Sequence, residues 1–218
     1  YFFTGQNVLY SFEITEAFQL SDIHFFILLG IFTGFVSVYF TRVYNFISGR
    51  FERIRSQYRR LLLGGGILGI LVFFLPSLYG EGYEEVNLAL HGDFTWLFHN
   101  TQYDSLGENV WFVLLFLFLM TTFKAIATTL TFAAGGIGGI FAPSLFTGVN
   151  AGLFFALLVN QLGGDISVSN FALVGMAGVI AGVIHAPLTS IFLIAELTGG
   201  HELFMPLMIA STISYATV

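Results

Sequence analysis

The chain has 218 residues, of which 56% are hydrophobic, 17% aromatic and only 9% charged. Soluble domains carry about 25% charged residues, so charge this sparse cannot shield an apolar core from water, and the natural solvent is lipid. A net charge of −6 argues against nucleic acid as a partner, and the absence of cysteine excludes disulfides, thiol catalysis and cysteine-ligated metal.

In chain order, the apolar runs predict helices at membrane depth over residues 22–48, 61–75, 109–134, 142–162, 171–184, 188–197 and 203–218. Ser21 is the expected N-cap of the first, and Pro76 ends the second. The fifth and sixth form a pair broken at His185-Ala186-Pro187. A full span needs about 20 apolar residues, and only some of these runs reach it. Short, broken helices are typical of transporters and channels, where irregular backbone is tolerated only beside protein or a water-filled cavity. The runs are continuous rather than alternating, so no barrel pattern is present. The expected fold is all-α and integral to the membrane, a bundle of tilted, partly broken helices.

Six of the seven basic residues gather at the junction of the first two long helices, Arg50, Arg53, Arg55, Arg59 and Arg60 between them and Arg42 late in the first. The positive-inside rule places that loop in the cytoplasm. The stretch 81–108 holds Glu84, Glu85, Asp93 and Asp104 and no Lys or Arg, and is expected on the opposite side, one span away. The arginines are read as a topology signal in preference to a lipid or ligand site.

Residues 135–148 read GGIGGIFAPSLFTG. Gly135 and Gly139 have the spacing for close helix packing. Yet Gly135, Gly136, Gly138 and Gly139 together weaken a helix badly, and Pro143 suits the first turn of a new one. The better reading is an extended backbone that feeds a helix N-terminus, with free amides near Ile140 and Phe141. Helix N-termini with exposed amides attract anions. Without competing water, a few such amides hold a small anion loosely enough to release it, which a full positive charge would not.

Gly139-Ile140-Phe141-Ala142-Pro143 resembles the GxFxP signature of the CLC chloride channels and chloride/proton exchangers. Gly138 before it and Ser144-Leu145 after it strengthen the match. So do Ala172-Leu173-Val174-Gly175-Met176-Ala177-Gly178, the His185-Ala186-Pro187-Leu188-Thr189 break and Glu196-Leu197-Thr198-Gly199-Gly200, in the family's order and at its spacing. The resemblance spans nearly the whole chain and is of prokaryotic type, which implies a multi-pass protein of the bacterial inner membrane.

That family builds each subunit from two inverted repeats. The resemblance implies that residues 1–20 are the end of the first repeat and that residues from about 22 to 218 are the second, and no soluble domain is visible within residues 1–218. It implies chloride as the transported ligand, no cofactor and no metal, and a homodimer with one path per subunit. The Ile140 and Phe141 amides correspond to the family's chloride ligands, with Gly138, Gly139, Ala142 and Pro143 forming the filter loop and helix start. The family's serine in GSGIP and its glutamate in GREGP or GKEGP do not occur here and are expected upstream of Tyr1. Its coordinating tyrosine is expected past Val218, so the role is not transferred to Tyr215. Channel and proton-coupled exchanger are therefore not separated by these residues.

Other polar groups have plainer readings. Lys124 is an ionisable group within a membrane segment, a functional hypothesis by default. It lies roughly four to five helical turns from Phe141 in sequence, and a structural role is expected. Glu196 is expected to hydrogen-bond backbone at a helix break rather than relay protons. His185 has no second ligand at metal spacing, so capping or packing is expected. His201-Glu202 is not a zinc motif, because position 205 is Met. Ser144 and Ser190 lack a triad pattern. An intramembrane enzyme would need a nucleophile–base or metal constellation that is not visible. A purely structural subunit leaves the glycine cluster unexplained.

Overall fold

The structure is a computed structural model that describes residues 19–79, 88, 109–198 and 201–218. The expected end of a first repeat (residues 1–18 of it), nearly all of the acidic stretch and Gly199-Gly200 lie outside the described residues.

Helix α1 (Ile23–Glu52) has 30 residues, about 45 Å at 1.5 Å per residue. This exceeds the hydrocarbon thickness of about 30 Å, so its arginine-bearing end extends beyond the hydrocarbon or the helix tilts strongly. Ser21 does not cap it. A 3-10 turn (Leu20–Asp22) precedes the helix, Asp22 is the N-cap residue, and no side chain caps the amides. The Ser21 hydroxyl instead donates to Asp22 Oδ1 at 3.0 Å. At the other end Arg60 reaches back. Its Nε donates to the Ile54 carbonyl at 2.7 Å and its Nη2 to the Glu52 carbonyl at 2.9 Å. A cation on the orphan carbonyls of a helix C-terminus is favourable, so one of the topology arginines also fixes the turn at residues 53–56.

Helix α2 (Gln57–Phe74) stops before Pro76, and a 3-10 turn (Pro76–Leu78) follows. Helix α3 (Val110–Ala133) is capped by Asn109, whose side chain accepts the Trp111 N–H at 3.0 Å. Helices α4 (Phe141–Gln161) and α5 (Val168–Ile184) come next, then α6 (Pro187–Thr198) and α7 (Phe204–Thr217). Among the described residues four helices are long and apolar enough to cross a membrane, namely α1 with its leading turn, α2, α3 and α4. The expected break is present. His185 adopts a left-handed conformation (φ 57°) at the end of α5, and Pro187 opens α6.

The core lies around α5, which is buried from Asn170 through Gly182. It packs closely on α4. A Cβ on Gly148 would lie 2.6 Å from the Met176 Cα, and one on Gly152 would strike the Phe171 carbonyl oxygen. Close backbone approach of this kind is how helices associate in lipid, where no hydrophobic drive separates side chain from solvent. Stacked rings tie α1, α4 and α5 together. The centroids of Phe26 and Phe171 are 4.3 Å apart, and those of Phe155 and Phe171 5.9 Å. Buried hydroxyls join α1, α5 and α7. Ser214 donates to the Gly178 carbonyl at 2.7 Å, and Ser37 faces the Val179 carbonyl at 3.3 Å. Each such bond in a membrane interior averages about 0.6 kcal/mol, so backbone proximity carries most of the contact.

Candidate functional site

The glycine segment turns the chain between α3 and α4. Gly135 has φ +103°, and its N–H donates to the Phe132 carbonyl at 3.0 Å while the Gly136 N–H donates to the Thr131 carbonyl at 2.9 Å. This pair of bonds is a Schellman stop, which needs glycine at its left-handed position. Gly135 therefore ends α3 rather than forming part of an extended strand. Gly138 lies against the Phe132 ring, where a Cβ would come within 2.8 Å of Cε1, whereas a Cβ on Gly139 would meet nothing closer than 4.0 Å.

Helix α4 then begins at Phe141, with Ile140 as a N-cap residue that makes no side-chain cap bond. Geometry gives the Phe141 and Ala142 amides no intrahelical acceptor, and Pro143 has no amide to leave unpaired. The Ile140 carbonyl is turned away from this end of the helix. It accepts both the Ser144 N–H at 3.0 Å and the Ser144 hydroxyl at 2.6 Å. The start of α4 thus presents donors without an adjacent acceptor, and the helix dipole reinforces their sign.

These residues line a cavity of about 520 Å³, with Gly138, Gly139, Phe141 and Pro143 on one side and Lys124 and Thr128 of α3 on another. The loop from Gly135 to Gly139 is exposed and Ile137 is fully so. The described residues therefore wall the cavity incompletely.

Lys124 departs from expectation. Separation along the sequence placed it away from Phe141, but α4 folds back beside α3 and both residues line the same cavity. Lys124 is 3% exposed. Its ammonium donates to the Leu78 carbonyl at 3.2 Å and lies 4.4 Å from the centroid of the Phe146 ring. The expected structural role is present in that anchor, which ties the 3-10 turn after α2 to α3 and α4. The sequence reading also missed Thr128 and Thr131. Lys124, Thr128 and Thr131, which all line the cavity, recur at helical spacing in a helix that also carries Thr121, Thr122 and Thr129. That periodicity was the available signal.

The remaining singled-out residues lie elsewhere. His185 is exposed and meets the Tyr215 ring edge-on at 6.0 Å, in keeping with a packing role. Glu196 is exposed near the end of α6. Ser190 is buried and donates to the Pro187 carbonyl at 2.7 Å.

Comparison with known proteins gives a consistent result. The family model described as voltage gated chloride channel matches residues 1–218. A ClcB-like chloride channel protein of Ralstonia nicotianae is 31% identical over 219 residues, covering 99% of this chain and 47% of the relative. The H(+)/Cl(−) exchange transporter ClcA of Vibrio cholerae is 30% identical over 214 residues, covering 95% of this chain and 42% of the relative. The crystal structure of a slow cyanobacterial Cl−/H+ antiporter superposes with a TM-score of 0.74 at 26% identity, covering 98% of this chain and 47% of that one. A CLC-type fluoride/proton antiporter superposes with a TM-score of 0.71 at 18% identity, a likeness of fold. The chain spans about half the length of the curated relatives it matches. With a family match over every residue, the chain belongs to the voltage gated chloride channel family.

Proposed function

We propose that this chain supplies one half of a chloride path, in which the Ile140 and Phe141 amides coordinate the anion and Gly138, Gly139, Ala142 and Pro143 shape the loop and helix start around it. The observation that carries this reading is the uncapped start of α4, which opens into a cavity of about 520 Å³. Amides fixed by the backbone need no reorganisation as an anion arrives, and the ammonium on the cavity wall, that of Lys124, is held on the Leu78 carbonyl and the Phe146 ring. The incomplete wall at the glycine loop fits a site completed by the first repeat of the same protein. The relatives named as a chloride channel and as H(+)/Cl(−) exchangers support chloride as the substrate.

The parent protein on this reading is a homodimer in the bacterial inner membrane, with the arginine turn in the cytoplasm. The outer faces of α6 and α7 expose Leu188, Phe192, Met205 and Met208 and form part of the dimer contact. The test is chloride flux from the full-length protein in liposomes, with and without a proton gradient. Flux that tracks the proton gradient identifies an exchanger, and flux indifferent to it a channel. No anion flux in either condition refutes the proposal.

A further inference from the structure

A second cavity, of about 420 Å³, lies at the arginine end of the molecule, bounded by Tyr44, Asn45, Ser48, Glu52 and Arg60. Among the described residues, Phe132 is the one residue that lines both this cavity and the one at the glycine loop. Its ring is held on two sides. It meets Tyr44 edge-on with centroids 6.4 Å apart, and it rests against the bare Cα of Gly138. The lower cavity is polar, with an amide, a hydroxyl, a carboxylate and a guanidinium on its walls. The ring is the apolar element between those groups and the donors at the start of α4.

We propose that Phe132 is a gate between the two cavities, so that, once the first repeat closes the open side of the glycine loop, water and small anions cross directly from the arginine end to that loop only when the ring leaves Gly138. An apolar constriction between two polar spaces excludes water, and with it hydrated ions, until the constriction widens. The ring is well placed to do this because its neighbours differ in kind. Gly138 offers no side chain to lock it, and Tyr44 meets it only edge-on. Glycine at position 138 then serves the gate as well as the loop, since any Cβ there would displace the ring.

The inference rests on the proposed function for its substrate and for the first repeat that closes the glycine loop, but its first test does not require chloride transport. In full-length protein with every native cysteine replaced, Gly139→Cys gives a reporter at a position where the added Cβ meets nothing closer than 4.0 Å. A charged, membrane-impermeant thiol reagent is applied from the side bearing the arginine turn. Phe132→Ala is expected to raise the modification rate at least tenfold, and Phe132→Trp to lower it. Gly138→Ala, which pushes the ring off its seat with Phe132 intact, is expected to raise the rate as well, and it decides the matter if Phe132→Ala does not fold. Equal rates in the parent and these variants overturn the gate.

The second test is chloride flux in liposomes. Phe132→Ala is expected to raise flux severalfold with chloride affinity unchanged. If the parent carries chloride and the modification rates do not move, the gate is wrong and the transport reading stands. If the rates move as expected and the parent carries no chloride, the gate stands and the transport reading is wrong.

Discussion

Replacing the Phe141 amide by an ester is the sharpest perturbation of the proposed site. The substitution exchanges one N–H for an oxygen and leaves the Phe141 side chain in place. Phe141 is the first residue of α4, so its N–H has no intrahelical acceptor to lose. What is removed is a donor available to an anion. A hydrogen bond to a charged group contributes roughly 1.5–3 kcal/mol, so chloride affinity should fall by about tenfold to a hundredfold. One side effect follows from the connectivity. The carbonyl weakened by the ester belongs to Ile140, which accepts from Ser144 through both its N–H and its hydroxyl. Ser144→Ala removes the hydroxyl bond alone and serves as the control for that loss. The assay is chloride titration calorimetry on the full-length protein, with the ester introduced as the α-hydroxy acid. Phe141→Ala, which keeps the amide, should retain binding. Binding that survives the ester but is abolished by Phe141→Ala would refute the amide account.

The other expectations test packing and assembly. Gly135→Ala places a side chain at φ +103°, and the left-handed region costs roughly 1–2 kcal/mol for such a residue, so thermal unfolding in detergent should shift down, and Gly135→Asn should shift it less. Gly152→Ala should destabilise by about 1–3 kcal/mol, because the added carbon meets the Phe171 backbone and not a movable side chain, whereas Gly139→Ala should leave the melting temperature unchanged. Lys124→Met strands the Leu78 carbonyl, and an unsatisfied buried acceptor costs about 1–3 kcal/mol. Lys124→Arg should recover most of that loss in the same melting assay. Single cysteines at Leu188, Phe192, Met205 and Met208 in the full-length protein should cross-link to dimers, and monomers at every position would count against the proposed interface.

Much of the fold was legible because lipid leaves few alternatives. A backbone without water must satisfy itself within helices, so each long apolar run had to be helical, and the breaks had to fall where proline or glycine interrupts it. The break at His185-Ala186-Pro187 and the stop before Pro76 follow directly. Helix limits were less legible where polar residues continue the helix. Helix α1 runs on to Glu52 and α2 begins at Gln57, since Arg60 bonds the carbonyls that would otherwise end α1 in water. Ser21 failed as a cap because the 3-10 turn moved the helix start beyond it.

The start of α4 was legible as a helix N-terminus, but the glycines before it were not legible one by one. In sequence they are four equal residues. In the structure Gly135 answers to its own φ, Gly138 to the Phe132 ring, and Gly139 to nothing nearby. Lys124 was hidden by a similar limit. Distance along the chain is a poor guide when a stop as tight as Gly135-Gly136 reverses direction. Lys124 and Phe141 are far apart in sequence, yet they line one cavity because α4 returns alongside α3, as the Lys124 contact with the Phe146 ring records. A polar residue within an apolar helix therefore says that something polar faces it. Only the fold says that the facing group is the Leu78 carbonyl and that the start of the next helix lines the same cavity, and this is why the residues that complete a site in lipid are found by tracing the turn and not by counting from the motif.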